Sequence, residues 1–141
     1  MDDDLFYHSV IDVSKIKDTE EKHKTMYHSI HNKIKENHPD IVVIEDVALQ
    51  CSPKVLIDLA RLQGIIIGAC ELYNINYMIL KPTEWRKLVG FTQGKQKRKE
   101  LKEQAIAFVK NTYQENVSSD EADAICIAIA AKIKLNKEEI L

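Results

Sequence analysis

The sequence predicts an α/β fold with a largely parallel sheet, on three observations. Ile41–Val47 (IVVIEDV) opens with four β-branched apolar residues in a row, the pattern of a strand buried on both faces. The order strand, helix, strand, helix, strand, helices supplies the crossovers that parallel strands require. The stretch Ser52–Tyr73 reads as a helix that is apolar nearly all round, so it belongs against a sheet or a second subunit.

Composition sets the outer bounds. A chain of 141 residues is long enough for one domain with a real hydrophobic core. An apolar fraction of 45% and a charged fraction of 30% fit a soluble globular protein. No run of eighteen apolar residues occurs, so no membrane partner is expected. The N-terminus, Met1-Asp2-Asp3-Asp4, is acidic, the opposite of a signal peptide. Cys51, Cys70 and Cys126 are odd in number and widely spaced, which predicts reduced thiols and a cytoplasmic location, and no disulfide frame.

Taken in order, Leu5–Val13 (LFYHSVIDV) has the aromatic and β-branched character of a strand. Asp18 then starts a helix, with Glu21 placed for a capping box. Met26, Ile30 and Ile34 recur every four residues and give that helix one apolar stripe. His38-Pro39-Asp40 ends it before Ile41–Val47. All five histidines (His8, His23, His28, His31, His38) fall in this first part; His28 and His31 share a helix face and read as solvated or half-packed, not as a metal pair.

Ser52-Pro53 is an N-cap followed by proline at the first helical position. Within this helix Ala60, Gly64 and Gly68 fall at four-residue spacing and form a small-residue stripe. Glycine inside a helix costs roughly 1 kcal/mol against alanine, so the stripe suits close approach of another backbone, the chain's own sheet or a second copy. Asn76–Leu80 is a further short strand. Lys81-Pro82 opens a short helix that Gly90 ends, and a glycine-bearing loop then leads into a basic helix continuing to about Tyr113. From Lys81 to Lys102 there are eight basic residues and two acids, a local net of +6 in a chain whose total is −2. Such asymmetry is the footprint of a polyanion, carried by Lys81, Arg86, Lys95, Lys97, Arg98 and Lys99 among others. The last helix starts at Ser118-Ser119-Asp120-Glu121, where Ser118 and Glu121 match a capping box. Asp120 and Asp123 are three apart and share a face with Ile127 and Ala130, which predicts that both point inward.

The chemistry follows from the acids and bases together. Ligands of open α/β sheets bind beyond the carboxyl ends of strands, where Glu45 stands. Glu45, Asp120 and Asp123 offer only hard oxygen ligands, which suits Mg²⁺ or, in its place, Mn²⁺. Two such ions about 4 Å apart activate water and steady the leaving oxygen in phosphodiester hydrolysis. Acids for metal beside bases for phosphate are what a nuclease needs.

The segments IVVIEDV, LARLQGIIIGACE, KPTEWRKLVG, TQGKQKRKELKEQA and SSDEADAICIAIAA, in this order, resemble the RuvC-type Holliday junction resolvases, particularly phage-like members, of the ribonuclease H-like nucleases. The resemblance covers nearly the whole chain. It implies a ribonuclease H-like mixed sheet flanked by helices, in one domain over residues 1–141. It implies a Mg²⁺-dependent endonuclease that cuts four-way DNA junctions in recombination and repair, with Glu45, Asp120 and Asp123 as three of four catalytic, metal-binding acids. It further implies a homodimer paired through Ser52–Tyr73, with Ala60, Gly64 and Gly68 in the interface. Two departures stand out. The family's first two strands, the first of them carrying the fourth acid, have no counterpart here, and Leu5–Val13 resembles the third; the expectation is an N-terminally incomplete copy that binds junctions better than it cuts them. Where well-known bacterial members carry an aromatic after the glutamate, Ala48 stands near that place. The rival readings are a DNA-binding homodimer without catalysis and a metal-free interaction module, the second of which leaves the +6 segment unexplained.

Overall fold

The computed structural model describes residues 7–140, with side chains to residue 138. Seven elements follow one another: α1 (Thr19–Asn37), β1 (Ile41–Glu45), α2 (Pro53–Leu72), β2 (Asn76–Leu80), α3 (Pro82–Val89), α4 (Arg98–Tyr113) and α5 (Ser119–Ile140). Strands β1 and β2 pair in a two-stranded parallel sheet, joined by the crossover helix α2. The chain divides into two compact units, Ile11–Ile79 and the remainder from Leu80 onward together with the N-terminal residues up to Val10.

In the first unit, α1 begins where Asp18 accepts from the Glu20 amide at 3.3 Å and ends at His38, in the left-handed region with φ 44°. Its stripe packs on α2: Ile30 and Ile34 are buried with Ala69, and Met26, Leu62, Ile65 and Ile66 close around them. Helix α2 is capped by Ser52, whose side chain accepts from Val55 N, and its C-cap is Tyr73. The expected inner strand ends at its first carboxylate, where the sequence placed its end. It ends at Glu45, because the Asp46 carboxylate accepts from Val47 N at 2.8 Å and turns the backbone away from the ladder. Only Ile44 of its four apolar residues is fully buried.

The strand expected over Leu5–Val13 is not observed over Tyr7–Val13; Leu5 and Phe6 lie outside the described residues. Tyr7 and Val10 are exposed, Ser14 N bonds to the Asp12 carboxylate at 2.9 Å, and Ile16 N bonds to Val13 O at 3.1 Å. Aromatic and β-branched residues make a strand only when a sheet edge meets them, and turn bonds occupy the backbone at this segment's end.

In the second unit, α5 packs against both α3 and α4. Trp85, Leu80, Ala105, Val109, Ala122 and Cys126 are fully buried. Phe91 stacks edge-on between Trp85 and Phe108, with ring centres at 5.9 and 5.6 Å. Gly90 ends α3 at φ 93°, a conformation that favours glycine. Lys134 on α5 donates to Glu84 on α3 at 2.7 Å and ties the two helices together.

Candidate functional site

The acid-bearing end of α5 is built by its cap. Glu121 N donates to Ser118 Oγ at 3.2 Å, and the Glu121 carboxylate accepts in return from Ser118 Oγ at 3.0 Å and from Ser118 N at 3.4 Å. This is the reciprocal capping box expected from the spacing. Asp120 and Asp123 follow on the same helix. Of the inward pair expected, Asp120 is instead exposed, whereas Asp123 is half-buried on a helix whose buried residues include Ala122, Ile125, Cys126, Ile127 and Ala130. The physical reason is position, since Asp120 falls in the first turn, where the helix dipole and water both favour a carboxylate. Asp123 still makes itself felt inside. The Cys126 thiol is pushed up to about 12, first by burial and then by the Asp123 charge. Burial thus holds Cys126 in its protonated, less nucleophilic form.

Glu45 closes β1 in the other compact unit and is exposed. Its neighbour Asp46 is engaged structurally, with Gln63 Nε2 donating to it at 3.4 Å in addition to Val47 N. Among the described residues no three histidine, cysteine, aspartate or glutamate side chains are gathered into a metal-holding group. Asp120 and Asp123 nevertheless fit a hard cation by chemistry. Mg²⁺ keeps several waters and is commonly held by one or two carboxylates plus substrate phosphates, not by an all-protein cage.

The basic residues lie in the same unit as α5. Lys81, Lys95, Lys97, Arg98 and Lys99 are all exposed. Arg86 is half-buried, with its guanidinium 5.1 Å from the centre of the Trp85 ring, a stacked and therefore restrained cation. Lys81 is the N-cap residue of α3, with no side-chain cap bond. The loop that carries Lys95 is fastened at both sides. Thr92 N donates to Gln104 Oε1 at 3.0 Å while Gln104 Nε2 donates back to Thr92 O at 2.8 Å. Gln93 Nε2 donates to Thr83 O at 2.9 Å, and Gln96 N bonds to Gln93 O at 2.8 Å around Gly94. Sequence reasoning missed Gln93 and Gln104; their only signal is that they are uncharged amides beside a dense run of charge.

It also missed His8. Its Nδ1 bonds to the Glu121 carboxylate, and its Nε2 lies 3.8 Å from Glu115. The Glu121 bond raises the His8 ring above its ordinary 6.5, with Glu115 adding to it. Glu121 is lowered below its ordinary 4.5, first by His8 and then by Ser118. The raised histidine contributes stability that is fully present below 6.5 and is lost as pH rises through its folded value. The lowered glutamate contributes stability present above 4.5 and lost as pH falls through its folded value. The contact is thus strongest between about 4.5 and 6.5. A ring-proton NMR titration is expected to give His8 a midpoint above 6.5 that drops in Glu121→Gln. An identical midpoint in both proteins would show that the contact is absent in solution.

Of the α1 histidines, His31 is buried and bonded through Nδ1 to the Tyr73 hydroxyl at 2.9 Å, while His28 is exposed. Ala60, Gly64 and Gly68 are all exposed on α2. A Cβ added at Gly64 or Gly68 meets nothing within 4 Å. The two glycines floor a groove of about 530 Å³ shared with Tyr27, His31 and Arg61. Among the described residues the close approach expected at the stripe is therefore not made. Among the described residues no helix is long and apolar enough to cross a membrane.

Comparison with known proteins gives a consistent picture. The family described as crossover junction endodeoxyribonuclease RuvC matches residues 4–131. The chain is 27% identical over 117 residues to the crossover junction endodeoxyribonuclease RuvC of Carboxydothermus hydrogenoformans, spanning 82% of this chain and 72% of that protein. It is 28% identical over 123 residues to the protein of the same description from Fusobacterium nucleatum, spanning 86% of this chain and 63% of that one, less than two thirds of its length. Among solved structures, T. thermophilus RuvC in complex with a Holliday junction substrate superposes with a TM-score of 0.78 at 14% identity, covering 95% of this chain and 81% of that chain. A second Thermus thermophilus RuvC structure gives 0.76 at 14% identity, covering 96% and 80%. The fold is thus the ribonuclease H-like α/β fold that the sequence predicted.

Proposed function

The chain belongs to the family of crossover junction endodeoxyribonuclease RuvC, and from that premise we propose that it is an endodeoxyribonuclease acting on four-way DNA junctions with Mg²⁺. The observation that carries this reading is the presence, in one compact unit, of two carboxylates at the start of α5 and a fastened loop of exposed cations. Asp120 and Asp123 would hold the metal. Bound there, Mg²⁺ would supply a more acidic water and offset charge on the scissile phosphate. The chain's own contribution is orientation. Lys95, Lys97, Arg98 and Lys99 draw the backbone in by charge, while Arg86, stacked on Trp85, offers a planar donor fork of fixed direction. The test is a labelled four-way junction incubated with this protein, with and without Mg²⁺. Binding in both conditions, with weak nicking that requires Mg²⁺, is the expected result. Binding without nicking would favour the non-catalytic homodimer, and no binding at all would sink the reading.

The same proposal includes a homodimer through α2. Its support is exposed apolar surface on that helix: Val55, Ile57, Leu59 and Leu72 are 46, 49, 39 and 66% exposed. A two-fold contact would set the glycine stripe against its own copy. A Cβ at Gly64 meets nothing within 4 Å among the described residues, so Gly64→Leu is expected to fold and to be monomeric by light scattering. A folded, fully dimeric variant would place the interface elsewhere.

A further inference from the structure

One of the five histidines is drawn into the acid-bearing end of α5. The chain from Tyr7 to Val13 joins no ladder, so secondary structure does not hold His8 there. Its side-chain contacts are with Glu121, through Nδ1, and Glu115, 3.8 Å from Nε2. Glu121 is also the hub of the cap, accepting from Ser118 Oγ and Ser118 N. It stands next to Asp120 and two residues before Asp123. The Ser118 bonds are local and exposed. The His8 bond is the long-range one, spanning 113 positions, between side chains only 27 and 17% exposed.

We propose that His8 is a positioning residue: by holding Glu121 it sets the first turn of α5, and with it Asp120 and Asp123, for a divalent cation. This rests on the metal-binding reading given above. The first turn of a helix lacks half its backbone bonds and opens before the rest. Carboxylates that must share a cation need their backbone held to within about half an ångström. The capping box closes the turn on itself, whereas His8 fastens it to a distant part of the chain.

The test uses the full chain, with Mn²⁺ titrated calorimetrically into wild type, His8→Ala, His8→Gln and Asp123→Asn. Amide hydrogen exchange over residues 119–124 and thermal melting accompany it. In His8→Ala, Mn²⁺ affinity is expected to fall roughly tenfold, the scale of outer partners of metal ligands, and exchange in the first turn to quicken. His8→Gln, whose amide can still donate to Glu121, is expected to recover most of both. A lower melting temperature with wild-type Mn²⁺ affinity would make His8 merely structural and overturn the proposal. Tighter Mn²⁺ binding in His8→Ala, the result of simply removing a nearby positive charge, would overturn it too. If His8→Ala does not fold, His8→Asn, too short to reach Glu121, takes its place with the same outcomes. Should Asp123→Asn bind Mn²⁺ like wild type, the metal reading fails and takes this inference with it. If Asp123→Asn loses Mn²⁺ and His8→Ala keeps it, this inference alone fails.

Discussion

Replacing Asp123 by asparagine is expected to abolish Mg²⁺-dependent nicking of a four-way junction while leaving the fold and junction binding in place. The substitution is isosteric, and the half-buried side chain keeps its shape. What changes is charge: an amide oxygen is a much poorer ligand for a hard cation than a carboxylate. Outer partners of metal ligands alone are worth roughly 10- to 100-fold in affinity, so loss of a ligand should exceed about 100-fold. Asp120→Asn should act in the same direction, since it removes the other carboxylate of the pair. Calorimetric titration of Mn²⁺ alongside the cleavage assay is the measurement. Equal metal binding by wild type and Asp123→Asn would remove the site from α5. There is an internal control in the same helix, since part of the upward push on the Cys126 thiol comes from the Asp123 charge. In Asp123→Asn that thiol should titrate lower, whatever happens to the metal.

The second large effect concerns DNA. Changing Lys95, Lys97, Arg98 and Lys99 together to alanine is expected to weaken junction binding by on the order of 100-fold at low salt, and alike for every sequence. Each phosphate contact contributes about 0.9 to the slope of log affinity against log salt, so the slope should fall by about 3 to 4. The fold has little to lose. All four side chains are exposed, and the Lys99–Glu103 pair at 3.9 Å is a surface contact worth only about 0.3–0.5 kcal/mol. The bond from Lys97 N to the Glu100 carboxylate uses the backbone and survives. Filter binding at several salt concentrations reads both quantities. Unchanged affinity and slope would make the run a solvated helix face.

Much of this was legible before any coordinates, and the reason is local. Ser52-Pro53 at one end of α2, Lys81-Pro82 and Gly90 around α3, and Ser118 with Glu121 at the start of α5 are signals that act within four residues, and each helix begins or ends where they place it. The stripe of Met26, Ile30 and Ile34 was equally local and packs as its period demands. What escaped depends on residues far apart in sequence. Tyr7–Val13 has the composition of a strand, but composition does not say whether an edge is available. The expectation that Ile41–Ile44 is buried on both faces holds fully only for Ile44, because burial depends on what packs against each face. Asp123 was placed on the apolar stripe by counting, and its half-burial is consistent with that, whereas Asp120 obeys the helix start and not the stripe. The acids and bases of the candidate site are proposed from residue type; the side-chain bonds of Gln104, Gln93 and His8 are not legible that way, because each joins a partner ten or more positions away.

The Gln104 amide has a consequence for the thermodynamics of association. By donating to and accepting from the backbone of Thr92, it imitates a neighbouring strand for one residue and closes the loop at its root. Fixing a single residue's backbone costs about 1–2 kcal/mol in lost freedom. Much of that loss is already incurred during folding for the stretch between Thr92 and Gln96, before any polyanion arrives. Docking then freezes little chain and buries little new apolar surface, so its heat-capacity change should be small and its free energy governed by displaced counterions. Severing the root with Gln104→Ala leaves every charge in place, yet it converts a stiff comb of cations into a tether whose ordering must be met afresh at each encounter.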